Sequence, residues 1–247
     1  MTADLVSLKI LVVSGSESFL TLWRDGARLS SIPVEFVGTP SVDAVGELAK
    51  GDVDILVIDG EIAVAQRDSI ADAARRCSPA PAFVLTSEKN DDKPEYVDFV
   101  APPPGNLNVA RSLVERFIRF RVPSRVLVVD DSGTMRSIVR KVLSASRYAT
   151  DVGEAANGHE AINEVTNGGF EVVILDYNMP GLNGLDILRA IRKTQPEIGV
   201  VLMTTTVDDH IAKAAIAEGA TGFLKKPFYP ADIDEVLDRY FGARICA

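Results

Sequence analysis

The sequence has only two cysteines in 247 residues, Cys77 and Cys246, far apart and with no C-x-x-C pattern. That argues against a disulfide framework and for reduced thiols in a cytoplasmic protein. A basic excess is missing too. The formal net charge is −9, which speaks against a chain whose main task is to grip nucleic acid by its phosphates. No stretch approaches the roughly 20 apolar residues of a membrane span. The opening MTADLVSLKILVVSG carries Asp4 and lacks both a basic start and a long apolar run, so no signal peptide is expected. Histidine is scarce: His159 and His210 have no partners at metal-ligand spacing, and both are read as surface residues.

What is present is an ordinary globular composition, 47% hydrophobic and 25% charged, in a chain long enough for one large domain or two of common size. One plan is written twice. KILVVSGSESF (residues 9–19) aligns with RVLVVDDSGTM (125–135), and DVDILVIDG (52–60) with GFEVVILDY (169–177), which sets Asp59 on Asp176. AFVLTSE (82–88) aligns with VVLMTTT (200–206), which sets Thr86 on Thr204, and DFVAPPP with GFLKKPF, which sets Phe99 on Phe223. The offset stays near ~117 to 124 residues, as expected of a duplicated domain with small loop differences. The expected domains are residues 1–121 and 122–247. Pro123, in the joining RVPSR, ends any continuous helix there.

Each copy alternates short apolar runs with helical stripes. In the second copy the runs are 126–129, 172–175, 200–203 and 222–224, with a weaker strand near 151–154. Between and after them, Met135, Ile138, Val139, Val142 and Leu143 keep helical spacing, as do Ile233, Val236, Leu237, Tyr240 and Phe241. Ala110, Leu113, Val114, Phe117 and Ile118 make the same stripe in the first copy. Strands alternating with helices predict a parallel sheet covered on both faces. The expected fold is α/β: two flavodoxin-like, doubly wound domains, each a five-stranded parallel sheet in the order 2-1-3-4-5.

In that strand order the carboxylates of the second copy converge. Asp130 and Asp131 end its first strand and Asp176 ends the neighbouring third. Three negative charges so close raise one another's pKa values, and a hard divalent cation relieves them; Mg2+ suits an all-oxygen site that keeps waters. Thr204 and Lys226 end the fourth and fifth strands. A carboxylate nucleophile, a metal, a lysine and a hydroxyl together make a site for receiving a phosphoryl group.

The set VVDDS, ILDYNMPGLNGL, LMTTT and GFLKKPF, in this order, resembles the receiver domain of two-component response regulators over residues 125–242. The resemblance implies that Asp176 accepts phosphate from a histidine kinase or a histidine phosphotransfer protein. It implies direct Mg2+ ligation by Asp131, Asp176 and the Asn178 backbone carbonyl, with Asp130 acting largely through water. Lys226 would hold Asp176 and then a phosphate oxygen, Thr204 would bond another oxygen, and Phe223 would turn inward behind it. Thr205 stands where the family prefers a small residue and narrows phosphate access. Pro227 follows the lysine at a position where the family often has a cis bond.

The first copy keeps Asp59 and Thr86 but reads Ser14 and Gly15 for the acidic pair and Pro102 for the lysine. Without these groups Mg2+ has little to hold it, so Asp59 is expected not to accept phosphate; the degenerate copy keeps a fold with surfaces, and a dimerisation unit, a docking platform and an intramolecular brake on the second domain all stay open. The protein is expected to be a signalling switch rather than an enzyme, beyond slow self-phosphorylation from small donors and slow dephosphorylation. No helix-turn-helix or catalytic output domain is recognised, so output through a downstream protein target is expected, read from about 208–241. A homodimer and an intramolecular contact between receivers are both open; direct nucleic-acid and membrane partners are not expected. The alternative is the receiver–receiver front of a longer enzyme such as a diguanylate cyclase. A small-molecule enzyme on this fold is disfavoured, because G-x-G-x-x-G is missing after both first strands and VVDDSG lacks D-x-D spacing.

Overall fold

The structure is a computed structural model that describes residues 7–88, 94–205 and 209–245, with the side chains of 209, 210 and 242–245 left undescribed. Cys246, Thr206, Asp208 and the side chain of His210 lie outside the described residues. The chain divides into two compact units, Met1–Arg121 and Val122–Ala247.

The first unit runs β1 (Leu8–Val13), α1 (Glu17–Arg28), β2 (Val34–Thr39), α2 (Ala44–Leu48), β3 (Ile55–Asp59), α3 (Val64–Arg75), β4 (Ala82–Thr86), β5 (Phe99–Ala101) and α4 (Leu107–Ile118). Its sheet is parallel throughout, in the order β2-β1-β3-β4-β5. The second runs β6 (Ser124–Val129), α5 (Gly133–Ser144), β7 (Thr150–Ala155), α6 (Gly158–Gly168), β8 (Val172–Asp176), α7 (Gly184–Thr194), β9 (Gly199–Thr204), α8 (Asp209–Ala217), β10 (Gly222–Lys225) and α9 (Pro230–Ile245). Its order, β10-β9-β8-β6-β7, is the same winding counted from the other edge. These are the two doubly wound α/β sheets expected from the repeat.

The central strands β3, β4, β8 and β9 are buried at every residue, as apolar runs between two helical layers must be. Edge strands β2 and β7 carry Glu, Gly and Thr and are half-exposed. Each first strand turns into its helix through the same cap: the Ser16 hydroxyl accepts from Phe19 N–H, and the Ser132 hydroxyl from Met135 N–H. The turn after β1 thus keeps its folding signal without its acids. Packing of α1 on α4 depends on Gly26, where a Cβ would stand 2.9 Å from the Ala110 carbonyl carbon. Trp23, fully buried, stacks on Phe117 at 5.9 Å.

Two details go beyond the sequence pattern. The helical stripes of α4 and α9 are buried throughout, but on α5 Ile138 is 46% exposed while Val139 and Leu143 are buried; the sheet covers a narrower strip of α5 than its apolar residues mark out. In the first unit, no helix stands between β4 and β5 among the described residues, where the second has α8. Before β5, Tyr96 packs against the sheet and α3. Its ring meets Phe83 edge-on at 5.4 Å, its hydroxyl donates to Asp68 at 2.7 Å, and Val97 beside it is buried.

Candidate functional site

The site of the second unit lies where its strands end. Strands β6 and β8 are ladder neighbours, so Asp130 and Asp131, just past β6, face Asp176, the last residue of β8. One oxygen from each of the three carboxylates lies within 4.8 Å of the others. Asp130 and Asp176 are buried, whereas Asp131 is exposed. Lys226 follows β10, and its Nζ donates to Asp130 Oδ2 and Asp176 Oδ1, both at 2.9 Å. The Asp130 Oδ1 accepts from Ser132 N–H at 2.9 Å. The loop after β8 can pack this closely because residue 184 is glycine: a Cβ there would stand 2.9 Å from Tyr177 Cα and 3.0 Å from the Asp176 carbonyl oxygen.

The electrostatics follow from burial. Burial pushes the Asp176 carboxyl above the ordinary range; the Lys226 hydrogen bond and charge pull it down, the Asp130 charge pushes it up, and Asn178 N–H pulls it down, with a net rise. Burial pulls Lys226 down, but hydrogen bonds to Asp130 and Asp176 outweigh it, and its pKa is raised. One ammonium thus serves two buried carboxylates with a third at the mouth, a donor set that fits a hard, oxygen-seeking cation.

Thr204 ends β9 and is buried, and its carbonyl accepts from Lys226 N–H at 2.8 Å. Thr205 is exposed beside it, and Asn178 is exposed in the loop after Asp176. Phe223 is half-buried against the core, paired with Leu202 in the ladder. The Lys226–Pro227 bond is cis. In sum, the structure brings together Asp130, Asp131, Asp176 and Lys226, with Thr204 at the neighbouring strand end.

The first unit differs in two ways. Its Asp59 is not left open: Ser14 Oγ donates to Asp59 Oδ2 at 2.6 Å, both buried, and Ser16 N–H donates to Ser14 Oγ at 3.0 Å. Asp59 Oδ1 accepts from Glu61 N–H at 3.1 Å. Secondly, Thr86 does not occupy the position of Thr204. Asp59 pairs with Thr86, whereas Asp176 pairs with Met203. The place of Thr204 therefore falls to Ser87, that of Phe223 to Val100 rather than Phe99, and that of Lys226 to Pro103 rather than Pro102. The Thr86 hydroxyl bonds within the sheet, donating to the Ile58 carbonyl at 3.2 Å.

The raised Asp176 pKa has a consequence for stability. A carboxyl raised in the folded state favours folding below its ordinary value of 3.8, and that benefit is lost as pH rises through the folded value. At pH 7 without metal, charged Asp176 is therefore a net cost. Asp176→Asn keeps the shape and removes the charge, and is expected to stabilise the metal-free protein by about 1 kcal/mol. Urea unfolding in EDTA checks this; the gain should vanish near pH 3, and a less stable variant at pH 7 would contradict it.

A doubly wound domain whose strand ends gather three acids, a hydroxyl and a lysine has the frame of a receiver domain. Comparison with known proteins agrees: the model of the response regulator receiver domain matches residues 126–238. The chemotaxis protein CheY of Thermotoga maritima is 32% identical over 115 residues, 47% of this chain and 95% of that protein. CheY1 of Helicobacter pylori is 37% identical over 121 residues, 48% of this chain and 97% of that protein. The chain belongs to the response regulator receiver family. Two solved structures described as two-component response regulator/GGDEF domain proteins share the fold of both units. Their TM-scores are 0.61 and 0.60 at 21% and 20% identity, over 96% of this chain and 99% of each of theirs. Among the described residues no helix is long and apolar enough to cross a membrane.

Proposed function

We propose that the second unit is a phosphorylation switch in which Asp176 accepts a phosphoryl group. The observation that supports this most is the Lys226 ammonium shared by Asp130 and Asp176 at 2.9 Å each, inside a cluster of three carboxylates. Mg2+ would be held by Asp131, Asp176 and the Asn178 backbone carbonyl, with Asp130 acting through water; it would shield the incoming phosphoryl oxygens from the acids. An Asp176 oxygen bonds to phosphorus while the P–N bond of a phosphohistidine breaks and its electron pair stays on the imidazole. The donor is a histidine kinase or a histidine phosphotransfer protein. Lys226 then turns to a phosphoryl oxygen, Thr204 donates to another, and Thr205 narrows the approach.

Phosphorylation adds about −1.5 to −2 charges at pH 7. Inward movement of Thr204 and Phe223 is favoured only as far as the phosphorylated site prefers it; moving from 1:99 to 99:1 takes about 5.5 kcal/mol. A downstream protein reads the change, and the chain acts as a switch rather than an enzyme, beyond slow self-phosphorylation from small donors and slow dephosphorylation. The experiment is intact-mass analysis after incubation with a small acyl phosphate and Mg2+. One phosphate should be added to the wild type and to Asp59→Ala, and none to Asp176→Ala; label persisting in Asp176→Ala would sink the assignment. A second reading, regulation of a longer output enzyme such as a diguanylate cyclase, has support in the GGDEF descriptions of the two structures that share the tandem fold. The complete reading frame decides it.

A further inference from the structure

We propose that Arg136 is a positioning residue of the acid pocket, holding the Asp130–Asp131 turn in the geometry that Mg2+ needs, and that Glu154 holds the arginine. The inference rests on the reading of the pocket as a Mg2+ site. Arg136 lies in the first turns of α5. Its Nη1 donates to the main-chain oxygen of Asp130 at 2.8 Å, and its Nε donates to Glu154 Oε2 at 2.9 Å. The two side chains are only 19% and 29% exposed. The Asp130 carbonyl belongs to the peptide plane that joins the two acids, so fixing it fixes the Cα from which Asp131, the exposed member of the cluster, leaves the chain and narrows the directions open to it. The side chain of Asp130 is held separately, by Ser132 N–H and Lys226.

The pairing with Glu154 matters for sign. A bare guanidinium beside three carboxylates would compete with a cation. Here its charge is partly offset by Glu154, which it shares with Arg140: the Arg136 hydrogen bond, with Arg140 behind it, keeps the Glu154 carboxyl below the usual range although burial opposes this. The pair therefore acts by direction more than by charge, and a planar fork is the group that can bind a carbonyl and a carboxylate at once.

The first unit supplies an internal comparison. Val128 pairs with Glu154 and the matching Val12 pairs with Gly38. Leu20 stands where Arg136 does, its Cδ2 3.2 Å from where a Gly38 Cβ would lie. An apolar contact has replaced the charged tether in the same unit that lacks the acidic pair.

Mg2+ titration calorimetry of the full chain tests the inference. Charge alone predicts that Arg136→Gln tightens Mg2+ binding, because a cation is removed. Positioning predicts the opposite, a loss of about tenfold. Arg136→Lys, which keeps the charge without the fork, should remain several-fold weak. Glu154→Gln should weaken binding in the wild-type background but add little to Arg136→Gln. Thermal melting in EDTA reports on the fold separately. Folded Arg136→Gln that binds Mg2+ as tightly as wild type, or more tightly, overturns the role of Arg136 alone. Wild-type protein that takes up no Mg2+ overturns the reading of the pocket and this inference with it.

Discussion

Lys226→Met is expected to cost the metal-free protein about 3 kcal/mol at pH 7, the scale for removing one partner of a buried ion pair. The methionine fills similar space, so the loss is electrostatic. Asp130 and Asp176 would face each other, buried, with no ammonium between them. Urea unfolding followed by circular dichroism in EDTA measures the loss. Added Mg2+ should narrow it, because a divalent cation can take the place of the lost charge and so bind the variant more tightly than wild type; both folded proteins gain from the metal, and only that difference in affinity closes the gap. The pH profile gives a second signature. Lys226 is raised above its ordinary 10.5, so its contribution is complete below that value and disappears as pH climbs through the folded value. Wild type should weaken there more steeply than the variant. Equal stability of the two proteins in EDTA at pH 7 would mean that the ammonium merely offsets its own desolvation.

The acid pocket was legible because strand ends mark themselves. An apolar run that stops at Asp130 or Asp176, or one residue short of Lys226, announces both the strand and the group at its mouth, and the parallel winding then makes neighbours of β6 and β8. Thr86 was misread for a physical reason. Ladder register is set by pairing between strands, and TS aligns with TT equally well in either of two frames, since both residues carry hydroxyls. Only the pairing of Asp59 with Thr86, against Asp176 with Met203, separates the frames. Arg136 and Glu154 left still less trace. Glu154 lies on a half-exposed edge strand, and a charged residue there reads as ordinary surface until the ladder sets it beside α5.

Ser14→Ala is expected to destabilise the first unit by about 2 kcal/mol, the scale of a buried hydrogen bond to a charged group. Ser14 is 1% exposed and Asp59 7%. The hydroxyl donates to Asp59 Oδ2 at 2.6 Å and accepts from Ser16 N–H, tying the ends of β1 and β3 to the cap of α1. Trp23 is the sole tryptophan and lies in the core of this unit, so its fluorescence during urea unfolding follows the first unit directly; an unchanged midpoint would contradict the prediction. The expected loss also explains why the first unit dispenses with a lysine. At the corresponding place the second unit has Asp130, which repels Asp176 and needs Lys226 or a cation between them. A serine there is a donor, so the carboxylate opposite is satisfied at once and no ammonium is required. Pro103, which has neither a side-chain charge nor a backbone N–H, can then stand where Lys226 does. The turn after β1 is therefore closed by its own hydrogen bond, and that bond holds the strand ends of the first unit together.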